Sequence, residues 1–187
     1  VKITLIRHGE VEKAYIGKYN GHNDIGLSKK GQQDAKKLAK TFTCKAFDLV
    51  YCSDLRRAKE TLKPFVQEKN ALYTAKLREK AWGKHEGLCF EEICTQGIVY
   101  ENFTQWIEAL DGEPYKKYVQ RVEQFFFEEL ITQKVENVLV VTHAGVIRTL
   151  MAIAQNISLE KAFAISLPYG AYTVYDTNLK TFSTIKT

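Results

Sequence analysis

No stretch of this sequence approaches the roughly 18 uninterrupted apolar residues that a membrane-spanning helix needs, so no membrane partner is expected. The first apolar run is only a strand long and breaks at Arg7, which does not fit a secretory leader; a cytoplasmic protein is the expectation. Only three prolines occur, and no Ser/Pro-rich linker, repeat or low-complexity tract divides the chain, so residues 1–187 read as one domain. The four cysteines (Cys44, Cys52, Cys89 and Cys94) lack C-x-x-C spacing and have no histidines at zinc-ligand intervals. Reduced thiols and no metal site follow. A large excess of charge of one sign is also missing. The formal net charge is +5, and Lys36, Lys37 and Lys40 fall on one helix face that reads as solvated surface, so no nucleic-acid partner is expected. A modest positive field nevertheless favours anionic substrates. With no Gly-rich P-loop and no dinucleotide fingerprint, no cofactor is expected.

The chain does contain short β-branched and aromatic runs alternating with helical patterns. "KITLI" (Lys2 to Ile6), "FDLVY" (Phe47 to Tyr51) and "VLVVT" (Val138 to Thr142) read as strands, the first and third apolar on both faces. "AYTVYD" (Ala171 to Asp176) and "TFSTI" (Thr181 to Ile185) read as an antiparallel hairpin. Helical spacing links Ala35, Leu38, Ala39 and Phe42. It also links Leu55, Ala58, Leu62, Phe65 and Val66, where Pro64 should end or bend the helix. Val119, Val122, Phe126 and Leu130 mark a long third helix, and Val146, Leu150 and Ile153 a fourth. The alternation predicts an α/β fold: a three-layer α/β/α sandwich around a mainly parallel sheet with an antiparallel C-terminal edge.

In open α/β sheets, functional groups gather beyond the carboxyl ends of the strands. That rule selects Arg7, His8 and Gly9 after the first strand. After the second come Ser53, Arg56 and Arg57, and after the third Thr142, His143, Ala144 and Gly145. Grouped cations of this kind require an anion to balance them, and a phosphoryl group fits. Arginine presents a planar fork to phosphate oxygens. A neutral imidazole can attack phosphorus and carry the phosphoryl group, and neighbouring cations help keep it neutral. A second histidine stabilises the transferring group. Gly9 is expected to let the backbone approach phosphate closely, and the fourth helix to turn its N-terminal amides toward the anion. A leaving alkoxide also needs a proton donor, for which "LREKAWGKHEG" offers Glu79 and Glu86; residue type alone does not choose between them.

"LIRHGE", "SDLRRAKET", "LREKAWGKHEG" and "VVTHAGVIR", in this order, resemble the signature segments of the histidine phosphatase superfamily, also called phosphoglycerate mutase-like. "GKYNGHNDIGLSKKG" resembles a further segment of that family. The resemblance implies a phosphoglycerate mutase-like fold with His8 as the phosphorylated nucleophile and Arg7 as its neighbouring phosphate ligand. Arg57, the arginine preceding alanine in "LRRA", inherits a second phosphate-binding role, and Arg56 falls in a variable position. His143 becomes the second imidazole of the pocket, and Glu79 becomes the proton donor and later the base. Glu86 falls in a supporting E-G pair, and Asn20 and Gly21 in a loop that approaches substrate.

The sequence departs from the family pattern at four places. Ala14 stands where many members carry a phosphate-assisting Asn, and Gly26 replaces a usual Pro. His85 stands where an aromatic residue commonly precedes E-G, and Pro114 replaces Ser in a G-E-S segment. The expected activity is metal-independent hydrolysis of a small-molecule phosphomonoester, of the type seen in bacterial α-ribazole phosphatase-like members. The late "THAGVIR" is close to their motif, and little chain separates Glu79 from the third helix. A phosphoglycerate mutase, a phosphatase acting on phosphoprotein, and a non-catalytic phospho-ligand module are the alternatives. His22 reads as a surface or substrate-edge histidine, Arg148 as structural, and Phe125, Phe126 and Phe127 as core plus one partly exposed ring.

Overall fold

Strands that are apolar on both faces must be covered on both. The computed structural model, which describes residues 1–185, meets that demand with helices above and below one sheet. The strands are β1 (Lys2–Arg7), β2 (Leu49–Ser53), β3 (Ala71–Thr74), β4 (Asn137–Thr142), β5 (Tyr172–Asp176) and β6 (Thr181–Ile185). Their order across the sheet is β3-β2-β4-β1-β5-β6. The first four run parallel; β5 pairs antiparallel with β1 and β6 antiparallel with β5, which is the predicted C-terminal edge.

Alternation along the two central strands divides the core. Ile3 and Leu5 of β1 and Val138 and Val140 of β4 face one side, where they pack with Tyr118, Val122, Phe126, Val146, Ile147 and Leu150. Ile6, Leu139 and Val141 face the other, against Leu38, Ala39, Phe42, Ala58 and Leu62. The helices are α1 (Lys29–Phe42), α2 (Arg56–Leu62), α3 (Phe90–Cys94), α4 (Phe103–Ala109), α5 (Tyr115–Glu123), α6 (Ala144–Gln155) and α7 (Leu159–Phe163). Ser28 caps α1 by accepting from the Gly31 N–H.

Several boundaries differ from the sequence reading. The second strand begins at Leu49 rather than Phe47, because the Asp48 carboxylate caps the turn by accepting from the Glu136 and Asn137 N–H groups. The helix expected to reach Val66 ends at Leu62, before Pro64, and gives way to a 3-10 segment at Val66–Asn70. The long third helix is α5 continued by a π-helical stretch, Gln124–Leu130, with Phe125 and Phe126 buried and Phe127 half-buried. Strand β3 and the helices α3, α4 and α7 had no predicted counterpart. The four cysteines are free thiols. Among the described residues no helix is long and apolar enough to cross a membrane.

Candidate active site

The register of the parallel strands brings the two histidines together. Arg7 pairs with Thr142 at the carboxyl ends of β1 and β4, and the His8 N–H donates to the Thr142 carbonyl at 2.9 Å. His143 follows Thr142 as the N-cap of α6. The His8 and His143 rings lie 5.2 Å apart, centroid to centroid. His8 Nδ1 is 2.8 Å from the Gly9 carbonyl oxygen, which can only accept. Nδ1 therefore carries the proton, and the Nε2 lone pair is free.

Electrostatics favour the same state. Burial, then the Arg57 and Arg7 guanidinium groups, hold the His8 imidazole well below its ordinary range, against a smaller opposing pull from the Gly9 carbonyl. Burial, then Arg57 and His8, do the same to His143. His143 Nε2 lies 2.8 Å from Ser53 Oγ at the end of β2.

The two arginines arrive from different elements. Arg57, on the first turn of α2, is wholly buried and donates to the carbonyls of Asn23 (2.9 Å), Asn20 (3.1 Å) and Gly21 (2.6 Å). Arg7 donates from Nη1 to the Leu167 carbonyl at 2.7 Å and lies 4.1 Å from the centre of the Tyr169 ring. Thr61 ties the two regions together: its hydroxyl accepts from the Gly9 N–H and donates to the Arg57 carbonyl. Arg7 Nε, Arg57 Nε and His143 Nδ1 are buried and have no partner among the described residues. Buried polar atoms normally have partners. Two guanidinium groups and an imidazole whose nitrogens still have bonding capacity suit a tetrahedral oxyanion.

Glu79 is held by three donors. Tyr118 Oη and the Lys80 N–H donate to Oε1 at 2.8 and 3.2 Å, and the Gly145 N–H donates to Oε2 at 2.9 Å. Gly145 lies in the first turn of α6, and a Cβ there would come within 2.2 Å of Glu79 Oε1, so the helix reaches the carboxylate only because that residue is glycine. A Cβ on Gly9 would meet the Gly31 carbonyl oxygen at 3.2 Å, so its bareness serves close packing against α1.

Of these groups, Arg7, His8 and Glu79 line a cavity of about 210 Å³, together with Asn20, Trp82, Tyr169 and Ala144 of α6 among others, while Arg57 and His143 are buried behind it. A wider depression of about 550 Å³ lies between α1 and α2, but its rim of Gln32, Lys36, Glu60, Lys63 and Pro64 offers no nucleophile beside the cations. The smaller cavity is therefore the candidate active site. Among the described residues no three His, Cys, Asp or Glu side chains converge as metal ligands.

The profile of the histidine phosphatase superfamily (branch 1) matches residues 3–186. The chain belongs to the histidine phosphatase superfamily. A relative in Escherichia coli, strain K12, described as adenosylcobalamin/alpha-ribazole phosphatase, is 28% identical over 100% of this chain and 94% of its own length. A 2,3-bisphosphoglycerate-dependent phosphoglycerate mutase of Parvibaculum lavamentivorans is 27% identical over 93% of this chain and 89% of its own. The crystal structure of the alpha-ribazole phosphatase from Shigella flexneri superposes with a TM-score of 0.81 at 28% identity, covering 98% of this chain and 94% of that one. Relatives of this histidine phosphatase are thus phosphatases and phosphoglycerate mutases, and the chain is an enzyme of that phosphoryl-transfer type.

The remaining residues singled out in the sequence divide by position. Arg56 is exposed and paired with Glu60 at 2.7 Å, away from the cavity. Gly26 makes room for it, since a Cβ would come 2.9 Å from Arg56 Cζ. Glu86 braces the Asn20–Gly21 loop by accepting from the N–H groups of Gly21, His22 and Trp82. Gly21, with its N–H on Glu86 and its carbonyl on Arg57, serves the site through Arg57. Ala14 lies exposed in a 3-10 turn at Lys13–Tyr15. His85 is buried and accepts from the Asp111 N–H, and its other ring nitrogen lies 3.0 Å from Gln96 Oε1. Pro114 begins α5. Arg148 donates twice to the Ile165 carbonyl, bracing the turn that presents the Leu167 carbonyl to Arg7. The sequence reading passed over Tyr118, Trp82 and Tyr169, and gave no role to Ser53 and Thr61, which open and close the quoted "SDLRRAKET".

Proposed function

We propose that this enzyme is a phosphomonoesterase that hydrolyses small phosphorylated metabolites through a covalent phosphohistidine on Nε2 of His8. The observation that carries the reading is the pinned tautomer, with Nδ1 on the Gly9 carbonyl and Nε2 left as the nucleophile beside His143 and two arginines. Nε2 attacks phosphorus as the ester P–O bond breaks, and Glu79 gives its proton to the departing oxygen. Water then attacks the phosphohistidine, Glu79 accepts the water proton, and the P–N bond electrons return to Nε2. Arg7, Arg57, His143 and the first turn of α6 hold the non-bridging oxygens. Asn20 borders the leaving group. No step calls for a metal, because the Arg7 and Arg57 guanidinium groups supply the positive charge.

Hydrolysis is favoured over mutase chemistry by the outer part of the cavity. Among the described lining residues other than Arg7 and the histidine, the one cation is Lys18, which is paired with Glu92 at 2.9 Å. A bisphosphorylated intermediate would need further positive charge there. Tyr19, Trp82 and Tyr169 instead give that region an aromatic wall, suited to a flat organic leaving group. An α-ribazole phosphatase-like substrate agrees with that wall and with the relatives described above.

The test is a panel of phosphomonoesters that includes α-ribazole phosphate and 3-phosphoglycerate, assayed without added metal and with or without 2,3-bisphosphoglycerate. Phosphate release that needs neither metal nor primer, and that disappears in His8→Ala, is expected. Isomerisation of 3-phosphoglycerate that depends strictly on the primer would assign the enzyme to the mutases instead.

A further inference from the structure

Helix α5 crosses beneath the segment that carries Glu79 and holds it twice. Arg121 forms a two-pronged ion pair with Glu113 (2.9 and 2.8 Å) and donates to the carbonyls of Lys76 and Arg78, both at 2.8 Å. One turn earlier on the same helix, the Tyr118 hydroxyl reaches Glu79 Oε1 at 2.8 Å. Tyr118 is 1% exposed, among the core residues of its face. Burial and the Glu79 charge push its phenol well above the ordinary range, so the hydroxyl stays protonated and donates.

A carboxylate oxygen has two lone-pair sites. Oε1 of Glu79 uses both, on Tyr118 and the Lys80 N–H; Oε2 uses one, on Gly145. We propose that Tyr118 is a positioning residue for the proton donor, fixing the Glu79 carboxyl so that the transferable proton is carried on Oε2. The inference rests on the reading of Glu79 as the acid. In phosphoryl transfer to His8, the Oε2–H bond breaks as the leaving oxygen takes the proton. The resulting carboxylate keeps its three donors. In the return step Oε2 accepts the proton of the attacking water. Tyr118 gives up no proton in either step.

Tyr118→Phe removes the hydroxyl and retains the ring. Tyr115→Phe is the control, because Tyr115 is on the same helix and its hydroxyl has no partner among the described residues. The readout is kcat/KM for an alkyl phosphate against 4-nitrophenyl phosphate. This ratio reports events only up to departure of the leaving group, and nitrophenolate leaves without a proton. Y118F should lower kcat/KM for the alkyl ester about tenfold. It should leave the nitrophenyl ester within about twofold, as expected when only proton delivery is impaired, and inhibition by vanadate unchanged; Y115F should change none of these. Tyr118→Leu should shift the ratio in the same direction whatever it does to stability. Equal losses on both esters, or no loss on either, would overturn the role of Tyr118. Glu79→Gln is measured alongside. If Glu79→Gln fails to discriminate the esters, the assignment of the acid falls. If it discriminates and Y118F does not, only the role of Tyr118 falls.

Discussion

Neutrality and orientation at His8 come from different neighbours. The Gly9 carbonyl orients the ring, while burial and two guanidinium groups suppress its charge. A base whose folded pKa lies well below 6.5 stays unprotonated at a pH where the free side chain is cationic. At pH 5.5, about nine-tenths of free imidazole is protonated. Nitrogen-detected NMR at that pH should therefore give His8 the pattern of a neutral Nδ1–H tautomer; a titration midpoint near 6.5 would contradict the proposed electrostatics. The arginine pair is tested by substitution. Arg57→Gln should weaken vanadate and phosphate binding by about 1.5–3 kcal/mol, the range for a lost hydrogen bond to a charged group, whereas Arg56→Gln should leave binding nearly unchanged. Equal effects would mean that the wrong arginine has been assigned. In the sequence the resemblance chose Arg57, and helical geometry says only that its neighbour cannot share the position, because adjacent helical residues project about 100° apart. Tyr118 was not legible. Nothing in "PYKKYVQR" separates a tyrosine that fills the core from one whose hydroxyl also reaches a carboxylate carried by another segment.

Among elements, the first turn of α6 has no room for a side chain at Gly145 while Glu79 keeps its place. Its Gly145 N–H bonds Glu79, and any side chain there would occupy the space of the carboxylate. Gly145→Ala should displace Glu79 and reduce kcat/KM for alkyl phosphates far more than for 4-nitrophenyl phosphate. Unchanged alkyl phosphatase activity in a folded G145A protein would show that the carboxylate does not depend on this contact. The strands and the longer helices could be read because their periodic patterns extend over several residues, as in β1, β4 and α6. Strand β3, with four residues, and the connection from Glu79 to α5 could not. Helices α3 and α4 of that connection have five and seven residues. Their buried residues Ile93, Trp106 and Ile107 are fixed by tertiary packing rather than by local repetition. The site was more legible than this connection, because strand ends deliver Arg7, His8 and His143 directly from sheet topology. Glu79 and Glu86, by contrast, were separable in sequence only by resemblance.

For the whole molecule, burying two imidazoles in the neutral state links stability to pH. The unfolded chain takes up protons on His8 and His143 below about pH 6.5, whereas the folded form resists uptake because both folded pKa values are lowered. Their contribution is full above that pH and declines as pH falls through it, by up to about 1.4 kcal/mol per pH unit for each histidine. We propose that residues 1–187 unfold as one unit. Urea unfolding at pH 7.5 and 5.5 should then give one cooperative transition that is markedly less stable at the lower pH, with a smaller difference in His143→Gln. A pH-independent midpoint would contradict the buried neutral pair.

The most direct test of the central claim is rapid acid quenching of the enzyme with a phosphoryl-labelled substrate, followed by peptide mapping under alkaline conditions that preserve phosphohistidine. The label should reside on His8 and be absent from His8→Ala. Label on His143, or on a serine or cysteine, or undiminished turnover in His8→Ala, would contradict the account.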